Sequence, residues 1–148
     1  MTAAPGGNGG QDRKTRWAVR GSAGIAGRRT IPEGIATADN AELAAVFDVD
    51  ASANAAVAAE FGARACASED ELLAADADVV YVATPAWLHH GQVLRAAAAG
   101  RHVFCEKPLG MTVAQGEAMV AACAKAGVKL GVGLMMRFHA QHRAALEL

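Results

Sequence analysis

Glu106 and Lys107 stand side by side in the stretch His102-Val-Phe-Cys-Glu-Lys-Pro-Leu-Gly110, directly after a short apolar run, Val103 to Cys105. A lysine at such a place can lose part of its hydration and act as a proton donor or as an electrostatic stabiliser. The pair also suits a weak ion pair on a solvated strand end, and spacing alone leaves both readings open. Pro108 follows at once and forbids continuation of an ordinary central strand. Leu109, Gly110 and Thr112 then lead into an alanine-rich segment with helical spacing, Val113 to Ala126. The elements that must position Glu106 and Lys107 are therefore a strand, a sharp turn and a helix. In open parallel α/β sheets, ligands bind in the crevice outside the carboxyl ends of the strands.

Three other stretches fit the same plan. Trp17 to Arg20 reads as a first strand, and Gly21-Ser-Ala-Gly-Ile-Ala26 follows it. This is the place for the phosphate-binding pattern G-x-G-x-x-G/A. Gly21 takes its first position and Ala26 its last, and backbone N–H groups of Gly21, Ser22 and Gly24 at a helix N-terminus are expected to meet a pyrophosphate. Ala23 departs from the pattern, because its methyl sits where phosphate oxygens should come, and a left-handed conformation there would cost about 1–2 kcal/mol. Gly24 comes one position late. Arg20 occupies the last strand position, where an unpaired buried charge is costly; three courses are open to it, pointing outward, snorkelling and reaching the phosphates, beside being a merely tolerated, destabilising substitution. Arg28 and Arg29 read as a solvated face.

Glu42 to Asp50 reads as the next strand, its apolar run Leu43 to Phe47 giving way to Asp48. A carboxylate there accepts hydrogen bonds from an adenosine ribose and repels a 2′-phosphate. Asp48 lies somewhat beyond the usual ~20 positions from the first glycine, and the segment 31–40, with Pro32 and Gly34 breaking the first helix in two, takes up the excess. Asp48 thus argues for NAD over NADP, whereas Asp50 suits a helix cap. Ser52 to Phe61 reads as a helix stopped by Gly62, Arg64 to Cys66 as a short strand, and Ser68-Glu-Asp-Glu71 as a capping box opening another helix. Asp78 to Ala83 is a buried strand by its continuous apolar character. It ends in Thr84-Pro85, and Trp87-Leu-His-His90 opens a helix that runs to Ala99. Lys129 to Gly133 reads as the sixth strand, and Met135 to His139 follows it.

The chain has 148 residues, a formal charge of −1 and 53% hydrophobic residues. That is one domain, long enough to bury a core, with no electrostatic footprint for nucleic acid or an anionic membrane. No apolar run reaches the ~20 residues of a membrane span. Cys66, Cys105 and Cys123 show neither metal-ligand nor disulfide spacing and read as reduced thiols of a cytoplasmic protein; no metal site is expected. Met1 to Arg16, rich in Gly and charge, reads as a disordered tail.

Glu-Lys-Pro at 106–108 with its Ala-Gly-x-His-Val lead-in, Thr84-Pro85, His89 and the Gly-rich turn together resemble the Gfo/Idh/MocA family of NAD(P)-dependent oxidoreductases. The resemblance runs from about Trp17 to the last residue. It implies an α/β fold, a doubly wound and mostly parallel Rossmann sheet with helices on both faces, over residues 17–136. Residues 137–148 would begin the connection to a second, α+β domain that is absent. It implies hydride transfer between nicotinamide and a carbinol carbon of a sugar, cyclitol or related diol. Lys107 would act catalytically and touch substrate, Glu106 would hold the nicotinamide ribose, and Pro108 would fix the turn. Thr84, Pro85 and His89 would lie beside the cofactor, Ile25 would join the Gly21-Ser22-Gly24 turn, and Arg137 would border the substrate. Trp87 covers the nicotinamide side of the crevice or packs on the next helix. NAD is the expected cofactor, and homo-oligomers are expected only of the full-length protein. The other reading is a non-catalytic nucleotide-binding or partner-binding fragment, and the 148 residues alone are expected to be inactive.

Overall fold

The computed structural model describes residues 13–147. Six strands form one sheet in the order β3-β2-β1-β4-β5-β6: β1 (Thr15–Arg20), β2 (Ala41–Phe47), β3 (Arg64–Ala65), β4 (Val79–Val82), β5 (His102–Cys105) and β6 (Leu130–Val132). Every neighbouring pair is parallel, so the expected doubly wound architecture holds. The order reverses between β1 and β4, which makes that seam the switch point where a crevice opens.

Side chains alternate across the pleat, as the period of two requires. Val19, Val46 and Tyr81 belong to one buried cluster, covered by the first helical segment (Ser22–Ile35) and by α1 (Ala51–Phe61). Ala18, Val80, Val82, Val103 and Cys105 belong to the other. That face is covered by α2 (Glu69–Ala74), α3 (Ala86–Ala98) and α4 (Val113–Lys125). Ala44 is an extra residue in β2, since the register passes from Trp17↔Leu43 to Ala18↔Ala45. A short turn (Met135–Phe138) and α5 (Ala140–Ala145) complete the chain.

Local signals place most boundaries. Asp50, Ser68 and Thr112 cap α1, α2 and α4 through side-chain oxygens that accept N–H groups of Ala53, Glu71 and Gln115. The Ser68 box closes one residue early, because Glu71 Oε2 accepts from Ala67 N–H rather than from its cap. Gly62, Gly100 and Gly127 follow helices in the left-handed conformation.

Two expectations need correction. Of the expected tail, residues 1–12 lie outside the described residues, but β1 begins at Thr15. Arg16 is drawn in by ion pairs to Glu42 and Asp76. The first helical segment is also not split at Pro32 and Gly34. Its helical angles fail at Gly24 (φ −86°, ψ −133°) and resume with wide, π-type turns through Pro32. Ala36 N–H reaches back five residues to Ile31 O, 2.9 Å away. Pro32 lies inside the segment, where its missing N–H leaves one carbonyl of the preceding turn without a helical donor.

Candidate functional site

Each strand on the switch-point side ends at a residue singled out above. Gly21 follows β1, Asp48 follows β2, Ala83-Thr84 follows β4, and Glu106-Lys107 follows β5. All lie at the carboxyl edge, and a chain of contacts joins them.

Gly21 sits at the centre. Its φ of +88° is one an L side chain rarely adopts. A β-carbon there would stand 2.8 Å from Ala83 O and 3.0 Å from Thr84 Cγ2. Its N–H donates to Phe47 O at 2.8 Å, so it ties β2 to the seam and, against expectation, is not free to meet a phosphate. Ser22 turns inward: it is fully buried, and its hydroxyl donates to Asn54 Oδ1 (2.9 Å), whose Nδ2 donates to Cys66 O (3.1 Å). Its side chain anchors the helix start and leaves only its backbone for a ligand.

Ala23 has no positive φ, so the left-handed strain considered for it does not arise. Its N–H donates to Asp48 Oδ2 at 2.9 Å, and Asp50 N–H donates to Asp48 Oδ1 at 3.0 Å. Both carboxylate oxygens are oriented by backbone and keep further lone pairs for hydroxyl donors. The tight helix contact falls at Gly27, not Ala26: a β-carbon on Gly27 would lie 2.4 Å from Ser22 O and 3.3 Å from Val57 Cγ2. The glycines therefore run Gly21, Gly24, Gly27. The late Gly24 was the available signal, because a one-residue delay there moves the next glycine by one as well. The break at Gly24 and the wide turns beyond it absorb the extra residue. Ile25 is exposed on this rim.

Arg20 takes none of the three courses open to it in the sequence. It turns into the α2–α3 face, 14% exposed, with Nε 3.6 Å from Glu69 Oε1 and its guanidinium 4.7 Å from the centre of the Phe47 ring. The amide of Gln92 bridges onward. Its oxygen accepts from Arg20 Nε (2.8 Å) and Nη2 (3.1 Å) while its nitrogen donates to Thr84 Oγ1 (2.6 Å), the orientation that sets no donor against a donor. Burial lowers the Arg20 pKa, and Glu69 opposes the shift. The charge is compensated, and Thr84 is oriented through Gln92.

His89 is 1% exposed and spans two loops. Nε2 faces Thr84 O at 2.8 Å and Nδ1 faces Pro108 O at 2.9 Å. It thus links the loop after β4 to the turn that carries Lys107, whose peptide bond to Pro108 is cis. Glu106 points back into the sheet. Its Oε1 accepts the Tyr81 hydroxyl at 2.7 Å, its Oε2 accepts Lys107 N–H at 3.1 Å, and Thr30 Oγ1 lies 3.1 Å from the Tyr81 oxygen. Desolvation, then the neighbouring carboxylate, holds the Tyr81 phenol protonated. Burial pushes the Cys105 thiol up to about 12.

Lys107 and Pro85 are exposed at the crevice. Trp87 is 69% exposed, so it does not pack on the next helix. Arg137 is exposed in the turn past β6, and among the described residues its recorded bond is its own backbone N–H to Leu134 O. The structure brings it into contact with none of the residues above. Among the described residues no group of His, Cys, Asp and Glu is placed to hold a metal.

The arrangement fits a dinucleotide. A cradle that a β-carbon at Gly21 would fill, the start of a helix, and an oriented carboxylate one strand away match phosphate and ribose respectively. The model of the oxidoreductase family with an NAD-binding Rossmann fold, GFO_IDH_MocA, matches residues 15–134. A 1,5-anhydro-D-fructose reductase of Ensifer adhaerens is 40% identical over 131 residues, 87% of this chain and 39% of the relative. The WlbA dehydrogenase of Bordetella pertussis, solved with NADH and UDP-GlcNAcA, superposes with a TM-score of 0.85 at 37% identity over 92% of this chain and 40% of its own. KijD10, a 3-ketoreductase of Actinomadura kijaniata solved with NADP and TDP-benzene, gives 0.86 at 32% identity over 91% and 42%. The chain thus spans about two fifths of the length of these relatives.

Proposed function

Because the chain belongs to the Gfo/Idh/MocA oxidoreductase family, with its NAD-binding Rossmann fold, we propose that it is the nucleotide-binding half of an NAD-dependent enzyme acting on a sugar, cyclitol or related diol. A bound nicotinamide supplies the hydride acceptor or donor for the carbinol carbon. The chain's own part is to bind, orient and manage charge. Ser22, Gly24 and Ile25 present the helix start to the pyrophosphate, and Gly21 leaves the room for it. Asp48 accepts the adenosine ribose hydroxyls, and Thr84 and Pro85 stand beside the cofactor; His89, expected there too, is buried with both ring nitrogens on backbone carbonyls and holds their loop without touching the cofactor.

A hydroxyl that loses its proton as hydride departs develops oxyanion character, which needs a cation or donor beside it. Lys107 is that group. Among the described residues the side-chain ion pairs are all made by arginines, so its ammonium is uncommitted. Pro108 holds the turn that presents it. Arg137, exposed in the turn after β6, is the candidate for a further contact to substrate. Oligomers and turnover belong to a longer polypeptide with a second domain.

The observation that carries the NAD reading is Asp48, fixed by two backbone N–H groups at the end of β2. Both NADH and NADP occur among the solved relatives, so cofactor preference is the direct test. Fluorescence titration of the chain should show tighter binding of NADH than of NADPH. Asp48→Ala should weaken NADH about tenfold, the scale of a hydrogen bond to a charged group, and narrow the preference. An unchanged ratio of the two affinities would reject the role of Asp48, and no binding of either would reject the function.

A further inference from the structure

We propose that Tyr81 and Thr30 are positioning residues for Lys107, acting through the carboxylate of Glu106; this rests on the reading of Lys107 as the group that meets the reacting hydroxyl. The carboxylate stands next in sequence to the lysine and is its nearest conceivable competitor. A Glu106 free to swing outward would pair with the Lys107 ammonium and withdraw it from substrate. The structure turns it the other way. The Tyr81 hydroxyl donates to Oε1 at 2.7 Å from a side chain that is fully buried. Thr30, on the first helical segment, lies 3.1 Å from the same hydroxyl.

Phe104 holds the phenol ring at 5.6 Å between centres. Gly133, just past β6, makes room: a β-carbon there would stand 3.2–3.3 Å from all three carboxyl atoms of Glu106. With Oε1 held inward, Oε2 takes the Lys107 backbone N–H. The carboxylate thereby fixes the lysine's main chain without touching its ammonium. The row from Thr30 through Tyr81 and Glu106 to Lys107 also connects the helix that begins at the phosphate turn with the residue that handles the proton.

The test is competitive acetylation of the 148-residue chain without cofactor, read by mass spectrometry as the labelling rate of Lys107 relative to exposed Lys125 and Lys129. Tyr81→Phe removes only the hydroxyl. A carboxylate released toward the ammonium should lower the Lys107 ratio about threefold, a modest effect because the lysine is exposed. Thr30→Val should lower it less, in the same direction, and it serves as the deciding variant if Tyr81→Phe does not fold. A purely structural role would lower the melting temperature of both variants and leave the ratio unchanged, and that result overturns the proposal. NADH titration of the unmodified chain is run in parallel. Absent binding there would defeat the proposed function, while the labelling ratio still decides the positioning role.

Discussion

Gly21→Ala is expected to abolish measurable NADH binding and to lower the melting temperature by roughly 10 °C. Two costs act at one atom. An L residue held at φ +88° costs about 1–2 kcal/mol. The added methyl would also stand 2.8 Å from Ala83 O and 2.9 Å from Ala83 C, both backbone atoms that cannot rotate away. Forcing them apart is overpacking, typically another 1–3 kcal/mol. A total of about 3 kcal/mol corresponds to roughly 10 °C in a domain of this size. The relief available is to open the seam between β1 and β4, which is also the crevice, so stability and binding should fall together. Calorimetry and NADH titration check the pair. A variant that melts within about 2 °C of the parent and still binds NADH would mean that the turn tolerates a side chain and does not form the phosphate cradle.

His89→Ala should do comparable damage by another route. The ring is 1% exposed, and each nitrogen faces a backbone carbonyl. Truncation leaves a cavity and removes the ring N–H that reaches one of these carbonyls, a neutral imidazole having only one. The cavity of a large buried side chain costs about 2–5 kcal/mol and the lost hydrogen bond about 1 kcal/mol, so a loss of roughly 3–5 kcal/mol is expected, at the upper end for single substitutions. His89→Asn is shorter but keeps one donor and should lose less. Urea denaturation of both variants gives the difference directly. A loss below about 1 kcal/mol for the alanine variant, within the range of ordinary substitutions, would mean that the two loops hold without the ring.

Much of the crevice was legible because its parts are local. Apolar runs that stop abruptly mark strand ends, and Gly21, Asp48, Thr84 and Glu106-Lys107 were found at those ends. Asp50 and Ser68 announced their helices because a cap contacts residues only three positions away. What the sequence did not disclose depends on strand order. Arg20 looked like an unpaired charge because its partners, Glu69 and Gln92, come from helices that reach it only when β4 lies beside β1. The inward turn of Glu106 depends on Tyr81, which reads locally as one more apolar strand residue. Asn54, buried under Ser22, gave no periodic signal among the alanines of α1. Gly27 was within reach, since it follows once the delay at Gly24 is carried forward.

All three thiols lie in the interior: Cys66 and Cys123 are 3% and 2% exposed, and Cys105 is fully covered. Burial raises the pKa of each, so each stays in its protonated, unreactive form. The folded chain should therefore pass through alkylating reagents unmarked, and iodoacetamide uptake becomes an internal gauge of opening. Because Cys105 adjoins Glu106, its labelling reports specifically on loosening of the strand that carries Lys107. Peroxides that disable thiol-dependent dehydrogenases would find no thiol to oxidise on the native molecule, only the exposed thioethers of Met111, Met135 and Met136.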